Sequence, residues 1–159
     1  PRHPQRFDAV AALIAAQGLA CTRRSAGLAP IPAETRVWLG DSMGEMVAYY
    51  AMSDVAIIGS SWQPLGGQNL IEACAAGTPV LVGPHTFNFT EASEKAIAAG
   101  AARRCADLDA ALRVTASLLA DAAARQAMGA AGSAFATTNR GATARTLAAI
   151  AQILPPAQA

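Results

Sequence analysis

Charge of either sign is scarce in this sequence and almost balanced. Charged residues make up 14% of the 159 residues, and the formal net charge is +1. This gives no overall reason to expect a nucleic acid or an anionic membrane surface as a partner, so any anion site must be local. Hydrophobic residues make up 53%. We therefore expect a globular chain rather than a disordered one.

Cysteines and long apolar runs are also few. Cys21, Cys74 and Cys105 are widely spaced, odd in number and form no CxxC motif. They predict reduced thiols in a cytosolic setting, with Cys74 as a small core residue. No apolar run has the length of a membrane span, and no signal peptide is visible. The chain opens on Pro1 without a methionine, so we expect it to be a piece of a longer protein.

Helical and extended patterns alternate along most of the chain. Short apolar strands joined by helices are typical of an α/β fold with a Rossmann-like parallel sheet and helices on both faces. We predict one domain over residues 1–154, followed by a frayed tail at 155–159. The predicted strands are 19–24, 36–39, 54–58, 80–82 and 101–105. The predicted helices are 4–18, 43–53, 69–76, 90–99, 107–120, 121–137 and 141–154.

A glycine-rich stretch, residues 59–72, is the clearest candidate for a binding site. It follows the apolar strand 54–58 and leads into a helix. Glycines allow the backbone to approach a ligand closely, and a helix N-terminus offers unpaired N–H groups to an anion. Ligands bind outside the carboxyl ends of parallel strands. We therefore expect the loops that begin at Gly40, Gly59 and Gly83 to converge on one edge.

Four motifs in register resemble the C-terminal half of the 3-deoxy-D-manno-octulosonic acid (Kdo) transferases. The similarity covers nearly the whole chain and departs from the usual family pattern at two positions, with Ser42 where threonine is common and Gln68 where histidine is common. The motifs are Pro1-Arg-His-Pro-Gln-Arg-Phe7, Gly40-Asp-Ser-Met-Gly-Glu-Met46, Gly66-Gly-Gln-Asn-Leu-Ile-Glu72 and Gly83-Pro-His-Thr-Phe-Asn-Phe89.

The resemblance implies the donor-binding half of a GT-B glycosyltransferase. Such an enzyme moves Kdo from the small-molecule donor CMP-Kdo to a lipid A precursor in lipopolysaccharide biosynthesis, with inversion and without a metal or other cofactor. The family's N-terminal domain, with the acceptor site, a membrane-anchoring segment and the glutamate taken as catalytic base, is expected to be absent from this chain. The fragment is then soluble and inactive alone, while the whole enzyme works at the cytoplasmic face of the bacterial inner membrane.

The resemblance also implies a set of donor-binding residues and no catalytic residue in this chain. His85 and Asn88 are further candidates for a place near the sugar. The implied CMP-Kdo contacts are Pro1, Arg2, His3, Ser42, Met43, Gly44, Glu45, Gly66, Gly67, Asn69, Leu70, Ile71 and Glu72.

Several of these residues have plainer interpretations. Ser42 with Glu45, and Asn69 with Glu72, match the spacing of helix caps. Asp107-Leu-Asp109 looks like the DxD of metal-dependent glycosyltransferases, but its place before a helix favours an N-cap. We assign no chemistry to Tyr49, and we expect Arg103 and Arg104 to form a solvated strand end.

Two other functions stay open at this point. One is a GT-B donor domain for a UDP-sugar, although a diphosphate calls for more positive charge near the loops than the sequence supplies. The other is a non-catalytic Rossmann-like module that binds small molecules or another protein.

Overall fold

The structure, a computed structural model, describes residues 3–27 and 30–153 and divides the chain into two compact units. Unit 1 is Pro1–Tyr49 and unit 2 is Tyr50–Ala159. The single domain predicted over residues 1–154 stays a prediction. The predicted frayed tail, 155–159, lies outside the described residues.

Unit 1 contains a helix and a two-stranded parallel sheet. A 3-10 turn at Pro4–Arg6 leads into helix α1, Phe7–Ala16, because proline is well tolerated where the N–H groups have no intrahelical acceptor. Strand β1, Cys21–Arg23, pairs in parallel with strand β2, Val37–Leu39. Helix α2, Met46–Ala51, begins near the end of this unit.

Unit 2 is built on a three-stranded parallel sheet in the order β3-β4-β5. A further helix, α7, ends the described chain. The strands are β3 (Ala56–Ile57), β4 (Val80–Val82) and β5 (Ala102–Arg104). The helices are α3 (Ile71–Ala75), α4 (Thr90–Ala98), α5 (Leu108–Ala120), α6 (Ala122–Thr138) and α7 (Ala142–Ile153).

Strand β4 is buried on both faces. Val80 and Val82 pack in one apolar cluster with α3, α4 and α6, whereas Leu81 packs in a second cluster with α5 and Met128 of α6. Alternate side chains of a strand point to opposite faces, so the two clusters lie on the two sides of the sheet. The predicted α/β class, with parallel strands covered by helices, is confirmed.

The predicted elements exist, but several are shorter than expected. The helix predicted at 43–53 is Met46–Ala51, and the one predicted at 69–76 is Ile71–Ala75. Cys74 is fully buried, as expected of a core residue, and burial raises the pKa of its thiol to about 11. Within the described ranges, no helix combines the length and the apolar character that crossing a membrane requires.

Candidate functional site

The glycine-rich loop after β3 has a backbone that only glycine adopts easily. Gly66 and Gly67 have φ angles of +83° and +75°. A Cβ at Gly66 would lie 2.3 Å from the Asn88 amide nitrogen, and one at Gly67 would lie 3.3 Å from the carbonyl oxygen of His85. Both the dihedral angles and the close neighbours therefore require glycine.

The loop after β4 packs directly against this glycine-rich loop. The backbone N–H of His85 donates to the Ser61 carbonyl at 2.9 Å, and the N–H of Asn88 donates to the Gly66 carbonyl at 3.1 Å. Ser61 is fully buried; its hydroxyl donates to the Ile58 carbonyl at 2.6 Å and accepts from the Gly83 N–H at 2.8 Å. Two of the three predicted loops are thus brought together at the carboxyl ends of β3 and β4.

His85 and Asn88 take up structural positions in that contact. The Asn88 amide donates to the Leu65 carbonyl at 3.1 Å, so it braces the glycine-rich loop. His85 is partly buried, and its backbone forms the wall beside Gly67. A contact of either residue with a sugar stays a prediction.

The first turn of α3 presents one exposed carboxylate. Asn69 accepts from the Ile71 N–H at 2.9 Å, so the side chain of Asn69 closes the turn before the helix. Leu70 is completely buried, whereas Ile71 and Glu72 are exposed. Within the described part of the chain, the Glu72 carboxylate has no hydrogen-bond or ion-pair partner. Glu72 therefore does not close a capping box with Asn69, and its carboxylate is available to a ligand.

In unit 1, the loop after β2 holds Glu45 among three donors. Its carboxylate accepts from the Ser42 hydroxyl, from the Tyr49 hydroxyl at 3.0 Å and from the Arg24 guanidinium at 2.8 Å. Hydrogen bonds from Ser42 and Tyr49, opposed by burial and assisted by Arg24, lower the pKa of Glu45. Helix α2 begins only at Met46, so Ser42 and Glu45 bind each other through their side chains and do not form the capping box that their spacing suggested.

The neighbouring Asp41 fixes the start of this loop. Its carboxylate accepts from the N–H of Ser25 at 2.8 Å, from the hydroxyl of Ser25 at 2.6 Å and from Nε of Arg23 at 2.5 Å. Met43 and Gly44, which follow, are exposed. The loop thus presents a backbone with a defined shape and an open side at Met43 and Gly44.

The N-terminal residues predicted to bind the donor are only partly described by the structure. His3 is exposed, and its carbonyl accepts from the Arg6 N–H at 3.0 Å. Pro1 and Arg2 lie outside the described residues. The loop at 40–45 belongs to unit 1, so its convergence with the loops of unit 2 stays a prediction.

Several residues of the two loop networks were missed from the sequence, and three of them contact predicted site residues or their loops. Tyr49 and Arg24 bind Glu45, and Arg104 is hydrogen bonded to the loop after β4. The prediction of a solvated strand end is wrong for Arg104, although Arg103 is exposed. A signal for Tyr49 existed, since it lies four residues after Glu45 and such pairs face each other near a helix. The arginine contacts span many residues of sequence and gave no local signal.

The DxD-like pair is an N-cap, as its position predicted. Asp107 accepts from the Ala110 N–H at 2.6 Å at the start of α5. Over residues 3–27 and 30–153, no group of three or more His, Cys, Asp or Glu side chains is arranged to hold a metal ion. The expectation of a metal-free reaction stays a prediction.

Comparisons with known proteins agree on the family. The family model described as glycosyl transferases group 1 matches residues 12–135. The 3-deoxy-D-manno-octulosonic acid transferase of Bordetella pertussis is 59% identical over 150 residues, which are 94% of this chain and 35% of that protein. The transferase of the same description from Haemophilus influenzae is 39% identical over 148 residues, 92% of this chain and 34% of that protein.

A solved structure extends the match to the fold. The C-terminal CMP-Kdo binding domain of WaaA from Acinetobacter baumannii superposes with a TM-score of 0.79 at 35% sequence identity, over 85% of this chain and 70% of that chain. This chain spans about a third of the length of the curated relatives it matches. The chain therefore belongs to the group 1 glycosyltransferases, and the resemblance to the C-terminal half of the Kdo transferases, inferred from its motifs, is confirmed.

Proposed function

We propose that this chain binds CMP-Kdo and is the donor-binding half of an enzyme that transfers Kdo to a lipid A precursor. The observation that carries this proposal is the match over 85% of the chain to a CMP-Kdo binding domain, at 35% identity. The loops of unit 2 support it chemically, because they combine a glycine-shaped backbone with an exposed carboxylate.

Glu72 is the proposed ligand of the ribose. An ionised carboxylate only accepts hydrogen bonds, and the two ribose hydroxyls are donors. The Glu72 side chain is exposed in the first turn of α3, and Asn69 holds the backbone of that turn. Charge-assisted hydrogen bonds of this kind are among the stronger ones in proteins.

Gly66 and Gly67 are proposed to form the backbone wall at the phosphate. Their positive φ angles shape the turn, and the loop after β4 packs against both glycines where other residues carry a Cβ. We assign less to helix dipoles than the sequence suggested, because α3 has five residues and α2 has six, and a short helix sums few peptide dipoles. Leu70 then acts through its backbone because its side chain is buried, and Ile71 lies at the edge of the site.

For unit 1 taken by itself, we propose contacts with the nucleotide from Ser42, Met43, Gly44 and Glu45. Three donors occupy three of the roughly four acceptor positions of the Glu45 carboxylate. The position left on Oε1 suits an N–H donor such as the amino group of cytosine. Uracil has a carbonyl oxygen at that place, so this contact favours CMP over UMP.

His3 and the residues before it complete the proposed set. Pro1 and Arg2 rest on the motif alone, since they lie outside the described residues. CMP-Kdo carries one phosphodiester and one sugar carboxylate, and a guanidinium binds such anions with two parallel hydrogen bonds. The proposed role of Arg2 is to stabilise the charge that develops on the departing phosphate.

The proposed reaction is an inverting transfer. The bond between the anomeric carbon and the phosphate oxygen breaks, CMP leaves with the electron pair, and the acceptor hydroxyl oxygen forms a new bond at the opposite face. The hydroxyl proton goes to a base that we place outside this chain. We also place the acceptor site and the attachment to the cytoplasmic face of the inner membrane outside it.

Charge argues against the alternative donor, a UDP-sugar. The stretches 59–69 and 83–89 contain no lysine or arginine. A diphosphate carries more negative charge than the phosphodiester of CMP-Kdo, and Arg104, which binds the second of these loops, already pairs with Glu94. The third interpretation, a non-catalytic module, predicts no nucleotide affinity.

Calorimetric titration with CMP and with UMP tests the proposal. We expect CMP to bind more tightly than UMP, and Glu72→Gln to weaken CMP binding about tenfold, on the scale of one lost charge-assisted hydrogen bond. Glu91→Gln is the matched control: Glu91 is an exposed glutamate on α4 whose carboxylate pairs with Lys95 across one helical turn. Equal loss in both variants, tighter binding of UMP, or no affinity for CMP in the unaltered chain would each contradict the proposal.

A further inference from the structure

Arg104 occupies the end of β5, where its guanidinium contacts the loop after β4. It lies beside Val82 in the sheet register, directly before that loop begins at Gly83. It donates to the Pro84 carbonyl at 3.1 Å and to the Thr86 hydroxyl at 3.2 Å. It also pairs with the Glu94 carboxylate of α4 at 2.7 Å. One side chain therefore joins the start of the loop to the helix that follows it.

The loop that Arg104 holds is the one that supports the glycine-rich loop. The carbonyl of His85 and the Cα of Thr86 are the nearest neighbours of a Cβ placed on Gly67, and Asn88 lies against Gly66. A displacement of residues 84–88 therefore changes the backbone wall that Gly66 and Gly67 form. Thr86 is itself 6% exposed, so the acceptor end of its contact with Arg104 is buried.

We infer that Arg104 is a positioning residue of the donor site, acting on bound CMP through the loop at 84–88. This inference rests on the proposed function, because it assumes that Gly66 and Gly67 contact the nucleotide. A guanidinium suits the task, since its planar set of five N–H donors reaches three acceptors in fixed directions. A lysine ammonium is a point charge on a flexible stem and cannot reproduce that arrangement.

The chain supplies a matched control in the preceding residue. Arg103 is on the same strand and carries the same charge, but it is exposed, and among the described residues its side chain makes no hydrogen bond or ion pair. Arg103→Gln removes one positive charge from the same strand without touching the loop. Comparing the Arg103→Gln and Arg104→Gln variants therefore separates the attraction of a positive charge for an anionic ligand from the effect of Arg104 on the position of the loop.

The decisive measurement is CMP affinity by calorimetry, well below the unfolding temperature of each variant. We expect Arg104→Gln to weaken CMP binding about tenfold, equal to about 1.4 kcal/mol, and Arg103→Gln to leave it within about twofold. Arg104→Lys should recover only part of the loss. Full affinity in the lysine variant would mean that the charge alone acts on the ligand, and it would overturn the inference.

A gentler variant keeps the test informative if Arg104→Gln folds poorly. Thr86→Val keeps the buried volume but removes the hydroxyl acceptor, and we expect about threefold weaker CMP binding. If Arg104 acts through Thr86, the double variant loses less affinity than the product of the two single losses, because residues that share one contact are not additive. Independent losses that multiply would contradict the inference.

Hydrogen exchange provides a readout that does not depend on any ligand. The His85 and Asn88 amides, which bond to the glycine-rich loop, should exchange faster in Arg104→Gln. The Ala56 amide, bonded to Pro79 at 2.8 Å in the sheet, should not change. Failure of the unaltered chain to bind CMP would refute the proposed function, whereas normal binding by Arg104→Gln with unchanged exchange would refute only the role of Arg104.

Discussion

The Asp41 carboxylate is almost fully withdrawn from solvent, with 1% of its side chain exposed. Burial alone would raise its pKa. Hydrogen bonds from the Ser25 hydroxyl, Arg23 and the Ser25 N–H outweigh burial and hold the pKa of Asp41 well below its usual range. A buried carboxylate that stays ionised in this way stabilises the fold only while its donors remain in place.

This arrangement predicts a particular pH dependence of stability. A depressed folded-state pKa contributes stability above the unfolded-state pKa, about 3.9 for Asp, and that contribution is lost as the pH falls below it. We expect the free energy of unfolding of unit 1 to fall between about pH 5 and pH 2, and Asp41→Asn to flatten this fall. Urea titrations across that range measure both slopes.

The same substitution is also expected to lower the free energy of unfolding at neutral pH. Asp41→Asn should cost about 2 kcal/mol, because one of its donors loses an acceptor in a buried place. Asp8→Asn is the control: Asp8 also pairs with Arg23, at 2.7 Å, but its side chain is 90% exposed. Exposed pairs contribute about 0–1 kcal/mol, so equal costs for the two variants would contradict this interpretation.

At the scale of elements, helix α6 packs so closely against α3 and the residues after it that two positions of α6 have no room for a side chain and are glycines. A Cβ at Gly129 would lie 2.2 Å from the Gly77 carbonyl oxygen, and a Cβ at Gly132 would lie 3.1 Å from that of Cys74. Because those neighbours are backbone atoms, a substitution there must move a whole helix. The contact matters for the site, since α3 carries Glu72.

Gly129→Ala is therefore expected to destabilise the chain by about 2–3 kcal/mol, the cost of overpacking. The expected sign is the reverse of the usual one, since replacing glycine by alanine within a helix normally stabilises it by about 0.5–1 kcal/mol. Gly132→Ala should cost less, and Gly59→Ala, which meets no atom within 4 Å, should be close to neutral. Thermal unfolding of the three variants gives the order, and a stabilised Gly129→Ala would show that α6 shifts freely.

The elements also show which features the sequence predicts and which it does not. Apolar periodicity predicted the type of each helix, and the glycines between an apolar strand and a helix predicted the glycine-rich loop. The start of α2 was missed by three residues because the positive φ of Gly44, +80°, keeps the chain in a loop there. The bonds from Arg23 to Asp41 and from Arg104 to Thr86 join residues 18 apart in sequence. Only the pairing of strands brings such residues together, so no local pattern predicts these bonds.

At the scale of the whole molecule, the matched proteins are about three times as long as this chain, which covers about a third of them. The described residues supply candidates for binding a donor, but they supply weak candidates for a base. Hydrogen bonds from Ser42 and Tyr49 lower the pKa of Glu45 despite partial burial, which makes it a poor proton acceptor. Glu72, the exposed carboxylate in the first turn of α3, already has a proposed ligand in the ribose.

The last prediction is that this chain binds CMP without catalysing transfer. Deprotonation of the acceptor hydroxyl by a positioned base is worth about 10²–10⁴ in rate, and an acceptor site outside this chain, as proposed, would leave the two substrates without a shared orientation. We therefore expect no release of CMP above background when the chain is mixed with CMP-Kdo and a lipid A precursor. The Bordetella pertussis relative, at full length, is the positive control. Transfer by this chain alone would place both the base and the acceptor site within it, and Glu45→Gln and Glu72→Gln would then show which carboxylate acts as the base.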